Sequence, residues 1–139
     1  MALTRTDLQA LAKVRAEDAL LLLQQQRFSS AYYLAGYAIE FALKARAAKQ
    51  VSAFAIPDRD FFSKIFTHDF DKLIGISGLK SEFDLKKRSS PEFGVNWAVV
   101  AEWRPEVRYE MISPIDSQLL VDAVCGPNDG VLEWIKIYW

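Results

Sequence analysis

The sequence predicts an all-α fold: an up-and-down helical bundle of four to five main helices with short extra helices. Three observations lead there. First, residues 31–48, AYYLAGYAIEFALKARAA, are apolar almost all the way round when placed on a helix at about 100° per residue. Such a helix belongs at the centre of a bundle, with neighbours on most sides. Second, apolar residues elsewhere recur at three- and four-residue spacing, bracketed by capping residues, prolines and glycines. Third, no alternating apolar/polar run and no convincing strand pair occurs.

Thr6 and Asp7 are candidate caps for a first helix running to about Gln26, with Leu8, Leu11, Ala12, Ala19, Leu22 and Leu23 as its apolar stripe and Arg15 set inside that stripe. Ser29 or Ser30 caps the second helix, which ends near Lys49. The short connection makes these two helices antiparallel neighbours. Residues 51–67, with Pro57 and several aromatics, read as a loop with one short helical turn. Thr67 or Asp69 caps a third helix over HDFDKLIGI, punctuated by Gly75 and Gly78. Residues 81–88 form a short helix. Ser90-Pro91-Glu92 then starts another, with Phe93, Trp97, Val100 and Ala101 inward, ending at Arg104-Pro105. Ser113 or Asp116 opens the next, with Leu119, Leu120, Ala123 and Val124 inward. A break over residues 125–130 precedes a short aromatic-rich helix, VLEWIKIYW.

Composition narrows the function classes. The chain has 139 residues, 51% hydrophobic and 25% charged, a globular balance. A net charge of −1 gives no global attraction to nucleic acid or to an anionic membrane. Cys125 is the single cysteine, so no internal disulfide forms and a reducing compartment fits. One cysteine and one histidine do not make an all-protein zinc cage, and neither a metal nor a cofactor is expected. The N-terminal segment is charged throughout and does not read as a signal peptide. Glu40 interrupts the best apolar run, so no membrane span is expected and a soluble, cytoplasmic protein is.

Chemistry concentrates in three places. On the second helix a narrow strip differs from the apolar remainder: Tyr33, Tyr37, Glu40 and Lys44. Polar groups there cost about 1–3 kcal/mol each unless paired. Either Glu40 is held by Arg15 or Lys44 in a structural network, or the strip lines a cleft for an anionic or nucleotide ligand. His68, the sole histidine, is the natural general acid–base candidate; its position just before a helix start, beside Asp69, better suits a capping or loop-anchoring histidine. The run Trp103-Arg104-Pro105-Glu106-Val107-Arg108-Tyr109 either recognises phosphate and stacks on bases, or plugs the bundle end. Lys80, Lys86, Lys87 and Arg88 read as a solvated basic cluster. Phosphate-binding glycine loops, GxSxG, HExxH and CxxC are absent.

Taken together, AYYLAGYAIEFALKA, the downstream THDFDKLIGISGL and the later WRPEVRY resemble the HEPN domain (higher eukaryotes and prokaryotes nucleotide-binding) over roughly residues 8–125. The resemblance implies one HEPN-like helical domain over residues 1–139 that commonly dimerises, with a cleft at the seam. It also implies a nucleotide or RNA ligand, or a nucleotidyltransferase partner in a toxin–antitoxin or defence-type system. Carried over residue by residue, Tyr37, Glu40, Lys44, His68, Trp103, Arg108 and Tyr109 match recurring family positions. Ribonuclease members carry an arginine, four to six residues, then a histidine. Here Arg59 precedes His68 with eight residues between, and no histidine follows Arg104 or Arg108. The expectation is therefore a non-catalytic module; the alternative is a metal-independent endoribonuclease using His68 and Arg108. Dimerisation has a further motive: Trp134, Tyr138 and Trp139 need cover, from their own bundle or from a twin.

Overall fold

A computed structural model describes residues 3–51, 56 and 59–139. Among these the elements are α1 (Arg5–Gln24), α2 (Phe28–Lys49), α3 (Arg59–Ile65), α4 (Phe70–Ile76), α5 (Lys80–Ser89), α6 (Pro91–Ala101), a 3-10 helix (Pro105–Tyr109), α7 (Pro114–Cys125) and α8 (Val131–Lys136), with no strand. The all-α bundle predicted by periodicity is what the chain forms. The break expected at Pro57 lies outside the described residues.

The cap of α1 is Thr4, two residues before the expected position. Its hydroxyl accepts from the Asp7 amide at 3.1 Å while the Asp7 carboxylate accepts from the Thr4 amide at 2.9 Å, a reciprocal capping box. Asp7 thus acts from inside the first turn. The helix stops at Gln24, short of Gln26, because Gln26 adopts φ 60°. The Arg27 amide donates to the Leu22 carbonyl and the Gln26 amide to the Leu23 carbonyl, closing a Schellman motif without its usual glycine. α2 begins at once, and neither Ser29 nor Ser30 is its cap: Arg27 occupies that position, and the Ser29 hydroxyl accepts instead from the Ile112 amide at 2.9 Å.

α1 and α2 make the most extensive pairing in the molecule. α1 brings Ala12, Ala16 and Ala19, and α2 brings Ala31, Ala35, Ala38 and Ala42, all buried. Small side chains let two helices approach closely, so α2 also packs against α4, α7 and α8. Arg46 pins two of these neighbours, donating to the Ser77 carbonyl at 3.0 Å and the Tyr138 carbonyl at 3.1 Å.

Asp69 caps α4, accepting from the Lys72 amide at 3.2 Å. Gly75 lies within that helix, and Gly78, at φ 71°, is the residue that ends it. Ser90 caps α6 as its Ser-Pro-Glu signal predicts, accepting from the Phe93 amide at 3.1 Å and donating to Asp129 at 2.8 Å. Ser113 caps α7 in the same way. Leu119, expected inward, is 50% exposed, because α7 turns Leu120, Val121 and Val124 to the core instead. Among the described residues no helix is long and apolar enough to cross a membrane.

The aromatic core runs from Trp103 through Phe70, Trp97, Phe83 and Phe93 to Trp134. The chain's own bundle covers the terminal aromatics. Trp134 is buried, Tyr138 stands edge-on to it at 5.5 Å, and Lys13 sits 5.7 Å over the Trp139 ring. Arg5 and Gln9 also donate to the Trp139 main-chain oxygen. Tyr138 and Trp139 pack against this core and stay half-buried.

Candidate functional site

The strip on α2 is built as its spacing predicts, around Glu40. The Glu40 carboxylate is only 3% exposed and has two partners. Lys44 Nζ approaches Oε2 at 3.4 Å, one helical turn on. His68 Nδ1 bonds Oε1 from the connection between α3 and α4. Arg15 does not take part; it pairs with Asp18 at 3.1 Å on its own helix. A local pair three residues apart forms without any tertiary alignment, and that is where the Arg15 side chain is spent. With Lys44 on one oxygen, the carboxylate accepts and Nδ1 donates, which leaves Nε2 as the free face of an imidazole that is 47% exposed. His68 is no cap: Asp69 does that work, and Thr67 Oγ1 accepts from the Asp69 amide at 3.1 Å. The geometry is a half-open imidazole anchored on a buried carboxylate.

Toward the start of α2 the strip continues with Tyr37, one turn from Glu40, and Tyr33, two turns from it, whose rings meet edge to face at 5.1 Å. Burial, then the neighbouring Tyr33 hydroxyl and the Glu40 carboxylate, push the Tyr37 phenol up to about 12, with Arg108 opposing. Tyr37 is therefore a neutral phenol lying between an acid and a base. Arg108, on the 3-10 helix, donates to the Pro105 carbonyl at 3.2 Å and lays its guanidinium 4.7 Å over the Tyr109 ring. The Tyr109 and Tyr33 hydroxyls beside it favour its charged form. Arg108 is exposed, and so is Tyr109.

Trp103 stands apart from its companions. It is 0% exposed, stacked on Phe70 at 5.6 Å with an interplanar angle of 5°, and met edge-on by Tyr37 at 4.9 Å. Its indole lies flush against Gly36, where a Cβ would come within 2.1 Å of the ring. Trp103 is the floor on which the tyrosines stand, and a ligand on the surface does not reach it. Gly36 is the residue that sequence reasoning passed over; a glycine in the middle of an apolar helix is the signal for a close approach.

The strip thus brings together Glu40, Lys44 and His68, with Tyr37 one turn earlier on α2 and Tyr33, Arg108 and Tyr109 beyond it. Seven residues separate Tyr33 from Glu40, or about 10 Å along the helix axis. The basic cluster of α5 is only partly a solvated face: Lys80 pairs with Asp84, Lys86 with Asp129, and Lys87 lies 4.4 Å over the Phe83 ring. Among the described residues no three His, Cys, Asp or Glu side chains are placed to hold a metal ion. No protein-family model matches the chain, nor does a curated protein or a solved structure.

Proposed function

We propose that this chain is a non-catalytic HEPN-like module, dimeric, that binds a nucleotide or RNA, or a nucleotidyltransferase partner, along the α2 strip in a toxin–antitoxin or defence-type system. One observation carries the reading: Lys44, His68 and Arg108 line one side of α2 among phenol hydroxyls and an exposed tyrosine ring. Cationic groups at two levels with an aromatic face between suit phosphates and a base. The exposed Met111 and Ile115, close in sequence to Tyr109, offer a twin apolar side chains to cover.

A second reading, metal-independent cleavage of RNA, is favoured by the Glu40–His68 pair, since a carboxylate-anchored imidazole is a workable acid–base. Distance weighs against it. His68 joins the strip at Glu40 and Arg108 at Tyr33, about 10 Å apart along α2, which suits neighbouring phosphates better than one scissile phosphate.

Fluorescence anisotropy with a labelled single-stranded RNA tests the binding reading. Two cationic contacts, Lys44 and Arg108, predict a slope of log affinity against log salt of about −1.4, falling by about 0.7 for each of Lys44→Ala and Arg108→Ala. Salt-independent binding, or equal affinity of these variants, refutes it. Incubation with RNA in EDTA separates the two readings. Cleavage by wild type, lost in the His68→Ala, Arg108→Ala double variant, makes the chain a ribonuclease.

A further inference from the structure

A concave site forms where α2, α6 and α7 meet. It is a cavity of about 210 Å³ lined by Tyr32 of α2, Val99 of α6, Glu102, Glu110, Ile112, and Asp116 and Leu119 of α7. Its charge is one-sided. Glu102, Glu110 and Asp116 all border it, and among the described residues none of the three is in an ion pair. Tyr32 is 9% exposed and lines the cavity, and among the described residues no protein group bonds its hydroxyl, which is left open to the cavity. Burial of that phenol, followed by the charges of Glu102, Asp116 and Glu110, raises its pKa, in keeping with the three carboxylates that line the same cavity.

We propose that this cavity receives an organic cation, a primary ammonium or a guanidinium on an aliphatic stem. A bare metal ion fits poorly, because no three carboxylates among the described residues are placed to ligate one together. A cation carrying its own N–H donors reaches separated carboxylates one by one and leaves a hydrogen for the Tyr32 oxygen. Val99, Ile112 and Leu119 accept the methylene stem. The volume is below the usual 300–1,000 Å³ of a drug-sized pocket, so a single side chain or a short diamine fills it. The proposal uses none of the strip residues and stands whether or not the chain binds RNA.

The test follows the Val99 and Leu119 methyl resonances during titration with N-acetyl-arginine amide, putrescine, and the neutral isostere N-acetyl-citrulline amide. Saturable shifts are expected from at least one cation, with a dissociation constant on the order of 1 mM, and none from the citrulline compound. A stronger response to the arginine amide identifies a side chain presented by a partner; a stronger response to putrescine identifies a free amine. Glu102→Gln combined with Asp116→Asn, both at exposed positions, weakens binding at least fivefold with an unchanged melting temperature, and Tyr32→Phe weakens it two- to fivefold. Equal shifts from the citrulline amide, no saturable response to either cation, or undiminished binding by the charge variant overturns the proposal.

Discussion

Gly36→Ala is the sharpest probe of how the strip is supported. The added Cβ would lie 2.1 Å from Cε2 and 2.2 Å from Cδ2 and Nε1 of Trp103. The indole cannot yield cheaply: it is fully buried and held by Phe70, Tyr37 and Tyr33. Overpacking a core costs about 1–3 kcal/mol, and an overlap this deep with a rigid ring belongs at the top of that range. Alanine returns up to about 1 kcal/mol of helix propensity. The net expectation is a loss of about 2 kcal/mol, or roughly 6–8 °C in melting temperature for a chain of this size. Gly94 in α6 is the control, because a Cβ there meets nothing within 4 Å. Gly94→Ala should stabilise by about 0.5–1 kcal/mol. Urea midpoints for the two variants, measured side by side, decide the matter. If Gly36→Ala stabilises as Gly94→Ala does, the close approach of α2 and Trp103 is wrong, and with it the floor assigned to the strip.

Gln26 holds a left-handed conformation that suits glycine, so Gln26→Gly should raise stability by about 0.5–1 kcal/mol in a urea titration; a loss would mean that the Schellman turn is not what ends α1. Burial raises the Cys125 thiol from 9.0 to about 11, with Lys136 opposing. The unfolded chain therefore releases this proton first. The stability involved is intact below pH 9 and is lost as pH climbs toward 11, by about 2 kcal/mol. Cys125→Ala should show correspondingly less loss between pH 9 and 11 than wild type, and parallel curves would place the thiol in water. For the same reason Cys125 should react slowly with a thiol reagent at pH 8 in the folded protein and fast in urea.

How far the fold was readable followed how each helix is capped. Ser90 before Pro91 and Ser113 before Pro114 are side-chain caps, and both starts fell where the sequence put them. The α1–α2 junction went astray because its devices leave little trace in residue type. A glutamine takes the place of the C-terminal glycine, and Arg27 begins α2 without a side-chain bond. The Ser29 hydroxyl resembled a cap from sequence, yet it serves a main-chain amide 83 residues away. Leu119 shows a related limit. Periodicity names an apolar face but not its width, and Leu119 fell just beyond the edge that α7 buries.

The site divides along the same line between local and distant. Glu40 and Lys44 meet because four residues on a helix bring them together, so that half of the network was visible in the sequence. The other half was not. Arg15 looked suited to Glu40 by antiparallel register, but Asp18 was three residues away on the same helix. His68 arrives from across the bundle, carried by a connection whose path no periodicity encodes. Trp103 and Arg108 show why residue type alone misleads about role. Five residues apart in one aromatic-basic segment, they divide between the interior and the surface. The 3-10 helix opened by Pro105 leaves Arg108 at the surface over Tyr109, while Trp103, just before it, drops onto Gly36. One cause accounts for both halves: the missing side chain at Gly36 admits the indole, and the buried indole fixes Tyr37 at the height where it stands between Glu40 and Arg108.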